Sequence, residues 1–137
     1  MRTLSFFFSV TLIFLTGCVS KEDIPPMSDK EISLKYEKHI TLPLQGITLS
    51  FLSLESDSRC PEEVTCIWEG EVVVKLGVAL IGQEPQSFIV GISPRPDVPQ
   101  SFTFEDYTIE LIEVNPYPVQ GVNVPLKKYE VVLKVTQ

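Results

Sequence analysis

The residues able to do chemistry gather in one short segment, Asp57-Ser58-Arg59-Cys60-Pro61-Glu62-Glu63-Val64-Thr65-Cys66-Ile67-Trp68-Glu69-Gly70-Glu71. Two cysteines this close can form a disulfide or offer two thiolates to a metal. The metal reading needs further ligands, and the only histidine, His39, stands outside any zinc-binding spacing. The carboxylates Glu55, Asp57, Glu62, Glu63, Glu69 and Glu71 are numerous enough for calcium but lack the D-x-[DN]-x-[DN]-G spacing of a calcium loop. Paired carboxylates can also serve general acid–base catalysis, although acidic loop residues mostly face solvent. The G-x-S-x-G elbow, the H-E-x-x-H helix, the Walker loop and the dinucleotide fingerprint are all missing. No catalytic residue is assigned, the chain is not read as an enzyme, and no cofactor or metal is expected.

A third cysteine stands far upstream. Met1-Arg2-Thr3 precedes an apolar run from Leu4 to Leu15, and Thr16-Gly17-Cys18 follows. One cation, a short apolar stretch and small residues at its end have the layout of an export signal. The stretch is about a dozen residues, short of the roughly 20 that a bilayer-spanning helix needs. Leu15-Thr16-Gly17-Cys18 resembles the lipobox of bacterial lipoproteins. That resemblance implies a signal peptide over 1–17, cut before a Cys18 that carries diacylglycerol and an acylated amino terminus. Two or three acyl chains make a stable anchor where one alone holds only marginally. In the sorting pattern of that family an Asp after the cysteine favours the inner membrane. Val19 stands there instead, so the expected place is the outer membrane, facing the periplasm or the cell surface. With Cys18 spent on lipid, Cys60 and Cys66 remain as an even pair that an oxidising envelope permits to join. Closing so short a loop stabilises by about 2 kcal/mol on the chain-entropy model.

Composition narrows the partners. The chain has a formal net charge of −7, and its longest basic run is Lys127-Lys128. Nucleic acid and anionic lipid headgroups are therefore not expected to bind the folded part, and the lipid anchor is the expected contact with a membrane. Residues 18–30, the lipidated cysteine and a charged stretch containing Pro25-Pro26, read as a tether. Fully extended, a dozen residues reach about 40 Å. Residues 31–137 make one domain's worth of core.

The elements that must position the segment are strands. Ile32, Leu34 and Tyr36 alternate with polar residues, as do Ile47, Leu49 and Phe51, continuing towards Leu54. Val72, Val74, Leu76, Val78 and Leu80 form the longest such face. Phe88 to Ile92 is a shorter run, followed by Tyr107, Ile109 and Leu111, then Tyr129, Val131, Leu133 and Val135. Period-2 alternation of this kind marks strands with one buried face. Proline and glycine clusters separate the runs, at 82–85, 93–96 and 115–118. Six or seven strands predict an all-β antiparallel two-sheet sandwich, Ig-like in outline, with an open β-barrel as the alternative. The last two strands are expected to form a hairpin with a long connection from Asn115 to Pro125.

The pattern D-S-R-C-P-x-x-V-x-C-x-W-x-G-E, leading into a valine-rich strand, resembles a group of small bacterial envelope proteins, many with lipoprotein signals. The shared features extend to Tyr107–Leu111, Pro116–Pro118 and Tyr129–Leu133. The resemblance implies a common scaffold and an envelope location and brings no activity with it. Two readings of the segment compete. In the structural one a disulfide staples the loop, Trp68 plugs the core, and Arg59 pairs with Asp57, Glu62 or Glu69. In the other the loop is a recognition tip displaying Asp57, Arg59, Glu62, Glu63, Trp68 and Glu69 to an unidentified protein partner. The position of Trp68 separates them. The function expected is a membrane-anchored binding or interaction module, with a hydrolase inhibitor or a metal-handling lipoprotein as alternatives.

Overall fold

The structure, a computed structural model, describes residues 30–137. The expected signal peptide, Cys18 and all of the expected tether but Lys30 lie outside the described residues. Lys30, read above as the last tether residue, is instead the first residue of a strand.

Eight strands form: β1 (Lys30–Lys35), β2 (His39–Leu42), β3 (Ile47–Asp57), β4 (Val72–Leu80), β5 (Gln86–Ile92), β6 (Ser101–Phe104), β7 (Tyr107–Asn115) and β8 (Glu130–Thr136). They pair antiparallel into two four-stranded sheets, ordered β1-β8-β7-β6 and β2-β3-β4-β5. The sheets pack face to face as a sandwich and do not close into a barrel. Two strands lie outside the six alternating runs, β2 and β6, each of four residues; β6 is joined to β7 through Glu105-Asp106, with Glu105 at a φ of 52°. β7 and β8 pair as the expected hairpin.

Inward residues from both sheets make one core. Ile47, Leu49, Phe51, Val72, Val74, Leu76 and Val78 meet Ile109, Leu111, Val114, Val131, Leu133 and Val135. Two aromatic pairs link the sheets. Tyr36 meets Phe51 edge-on at 5.4 Å, and Phe88 stacks on Phe102 at 4.1 Å.

Bulges reset the alternation. In β3 the register slips between Phe51 and Ser53 and again between Leu54 and Ser56, so Phe51, Leu54 and Asp57 stand opposite Leu76, Val74 and Val72. All three therefore share the inward face although they are three residues apart. The acid at position 57 is thereby aimed between the sheets. A matching slip between Leu111 and Glu113 turns Val114 inward at the end of β7.

The pairing also orients the molecule. Lys30 lies opposite Val135, while Lys35 lies opposite Glu130. Asn115 meets Glu130 at that second end, and hydrogen bonds from Tyr129 and Arg59 bring Asp57 to the same end. The loop between β3 and β4 thus sits at the pole opposite the point where the chain enters the domain. The nine residues of β7 span the distance between poles, about 30 Å.

Leu111 is fully buried and its neighbour Ile112 faces solvent. Leu111→Ala should cost about 2–5 kcal/mol in urea unfolding, and Ile112→Ala about 0.5 kcal/mol or less.

Candidate functional site

The segment 58–71 leaves β3 and returns to β4 as two stems that bond to each other. Ser58 N donates to Glu71 O (2.8 Å) and Cys60 N donates to Glu69 O (3.0 Å). Cys60 and Cys66 are joined by a disulfide, with sulfurs 2.07 Å apart, so neither is a thiolate for a metal. Gly70 adopts a φ of +74°, and a Cβ there would lie 1.9 Å from Ser58 O. Only glycine lets the stems run this close.

Beneath the loop lies a buried clasp. Arg59 Nε and Nη2 donate to the two carboxylate oxygens of Asp57, at 2.9 and 2.7 Å. Nη1 donates to Val114 O (2.6 Å) and Nη2 also to Pro116 O (3.1 Å). Tyr129 Oη donates to Asp57 Oδ2 (3.1 Å), and the Tyr117 ring lies 4.8 Å from the guanidinium carbon. Asp57 and Arg59 belong to the β3 side and Val114, Pro116 and Tyr129 to the β7–β8 side, so the clasp ties one sheet to the other. The two charged side chains are only 7% and 8% exposed. A bidentate guanidinium–carboxylate pair with its remaining donors on carbonyls is the geometry that a buried ion pair needs. Burial and the neighbouring Asp57 carboxylate raise the Tyr129 pKa above its ordinary value, with Arg59 opposing.

The outer part of the loop is different in kind. Trp68 is 78% exposed and Ile67 is fully so at 106%. Trp68 is therefore not a core plug, because the disulfide and the clasp hold the stems and leave the tip beyond the core. Nor is Arg59 displayed, because Asp57 faces inward and Arg59 must follow it to satisfy a buried charge. Of the six residues proposed as a recognition loop, Asp57 and Arg59 are its internal support, while Glu62, Glu63, Trp68 and Glu69 face solvent with Ile67. The exposure of Ile67 was not foreseen. Its place between the second cysteine and the tryptophan was the available signal.

Around the tip the remaining charges divide cleanly. Glu71 accepts from Arg95 Nε (2.8 Å) and from Ser93 Oγ (2.6 Å). Asp57 pairs with Arg59, and Arg95 with Glu71 and Asp97, while Glu62, Glu63 and Glu69 have no ion-pair partner among the described residues. A concave surface of about 610 Å³ adjoins the tip, lined by Glu69, Ile92, Pro94, Glu113 and Tyr117 among others. The loops after β5 and after β7 flank the same pole, through Ser93 and Arg95 on Glu71 and through Pro116 O on Arg59. The acids once considered for calcium are dispersed or paired, His39 is exposed in β2, and no group of three metal-ligating side chains occurs among the described residues.

Arg59→Met should cost about 3–5 kcal/mol by leaving Asp57 buried and unpaired, and adding Asp57→Asn should restore part of that loss. Urea unfolding of the single and double variants measures both.

The clasp also predicts an alkaline limb. The folded state favours the neutral Tyr129 phenol, so as pH rises past about 10 the unfolded chain loses that proton first. Stability present below that pH then falls until the folded phenol also ionises. Tyr129→Phe should flatten this fall, read from urea midpoints between pH 9 and 11.5.

Comparison with family models, curated proteins and solved structures finds no match to this chain.

Proposed function

We propose that this chain is a lipid-anchored protein of the bacterial envelope, held through Cys18, and that its sandwich is a protein-interaction module acting through the 61–69 tip. One observation carries the reading: Ile67 and Trp68 are exposed together on a loop that is braced from within. A soluble domain has no folding reason to hold its only tryptophan in water. Burying each of these side chains against a partner would contribute about 1.5–3 kcal/mol by area. The disulfide, the paired stems and the clasp restrict the loop before any partner arrives, so little ordering cost is left for binding.

The address follows from the lipobox resemblance and agrees with the geometry. A tether attached at Lys30 leaves the tip at the far pole, directed away from its own anchor. Tethering raises the local concentration of the module for anything else at that surface. A projecting, pre-organised loop beside a concavity also fits insertion into another protein's cleft, which keeps inhibition of a hydrolase as a special case of the same interaction.

Two measurements test the proposal in cells. Cys18→Ser should abolish lipid labelling and release the protein from membranes; full membrane partition of that variant would sink the anchor. A photo-crosslinking p-benzoylphenylalanine in place of Ile67 should give a discrete protein adduct. The same group in place of Leu44, 95% exposed at the other pole, should give none. Equal labelling from both positions would refute the tip.

A further inference from the structure

We infer that the partner of the tip is a protein presenting an apolar cleft edged by lysine or arginine side chains, an inference that rests on the interaction reading above. The tip itself carries the specification. Its two apolar side chains, Ile67 and Trp68, are surrounded in sequence by Glu62, Glu63 and Glu69, all exposed and all without an ion-pair partner. The two cations nearest in the fold are already neutralised, Arg59 by Asp57 and Arg95 by Glu71. Glu113 adds a further exposed carboxylate to the adjoining concavity. The half-exposed Arg95, held by Glu71, is the cation beside Trp68. The surface is therefore apolar at its centre and predominantly acidic at its edge, which complements an apolar pocket with a cationic rim. A neutral or acidic rim would meet like charge or strand these carboxylates.

The rest of the pole fixes the orientation. On the other side of Tyr117 a recess of about 640 Å³ is lined by Lys35, Lys127 and Lys128 with Glu130. Tyr117 borders both concavities, so the pole is acidic on one flank and mainly basic on the other. A partner's cationic rim is drawn to the tip and repelled from the lysine flank, which selects one way of docking. A membrane surface is the poorer occupant. Anionic headgroups would face the unpaired carboxylates, and the tip points away from the end that carries the anchor.

The experiment uses the full lipidated chain with p-benzoylphenylalanine in place of Ile67, irradiated in cells. Three backgrounds are compared: otherwise unchanged, Glu62→Gln/Glu63→Gln/Glu69→Gln, and Glu62→Lys/Glu63→Lys/Glu69→Lys. A fourth, Glu84→Lys/Glu105→Lys, reverses two charges in turns at the other pole. The expected adduct falls severalfold in the glutamine variant and tenfold or more in the lysine variant, and is unchanged in the fourth. Mass spectrometry should place the crosslink beside apolar residues flanked by Lys or Arg. An adduct indifferent to both tip variants overturns the cationic rim while leaving the interaction module standing. An adduct to lipid, or one of twice the chain's mass, overturns the inference by naming a membrane or a second copy. No adduct in the unchanged background overturns the interaction reading and this inference with it. Thermal melts of each variant verify folding, and the glutamine variant, which adds no repulsion, carries the test if the lysine variant melts early.

Discussion

Asp57 and Arg59 form an ion pair placed where a sandwich has least to hold it together, at an open end between two sheets. The hydrophobic core fixes the middle of the domain, but at the pole the strands of β3 and β7 would otherwise part into separate loops. Arg59 spans that gap because a guanidinium has donors enough to satisfy a carboxylate on one side and two carbonyls on the other. Tyr129 closes the remaining angle from β8. Lysine could not replace it, since a single ammonium cannot present paired donors to Asp57 and also reach Val114 and Pro116. The exposed tip depends on this clasp: the direction in which Ile67 and Trp68 point is set by side chains that are themselves buried.

Much of this was legible in the residues, and the exceptions have physical causes. Ile47, Leu49 and Phe51 announce β3 by alternation, and the jump from Phe51 to Leu54 is the trace of a bulge. The jump from Leu111 to Val114 is the same trace in β7. Reading a further jump from Leu54 to Asp57 would have required treating an acid as an inward residue, which is reasonable only once Arg59 is known to meet it. β2 and β6 are absent from the alternating runs because four residues are too few for a period to emerge; β2 is supported by β3, and β6 by β7 and by Phe102 stacking on Phe88. Trp68 was misjudged in its structural reading because large aromatics near disulfides usually fill cores. Here the core is complete without it.

The segment therefore answers to neither simple reading. Half of its conspicuous residues, Asp57, Arg59, Cys60, Cys66 and Gly70, brace the loop. The other half, Glu62, Glu63, Ile67, Trp68 and Glu69, gains nothing from being there as far as the fold is concerned. A motif can thus be structural in one residue and displayed in the next. Spacing alone does not sort them, because bracing residues and displayed residues must be neighbours for either to work.

The bulges of β3 carry a second consequence. β2 covers β3 only from Ile47 to Ser50, so the outer edge of β3 beyond Phe51 has no neighbouring strand among the described residues. A bare, flat edge is a template for adding a strand from another molecule. The proposed lipid anchor would confine copies to a plane and bring such edges together more often than in free solution. The two register slips fall in that uncovered stretch and break the regular ladder that a neighbour would need. The distortion that turns Asp57 inward also blunts this exposed edge against pairing with a strand from another molecule.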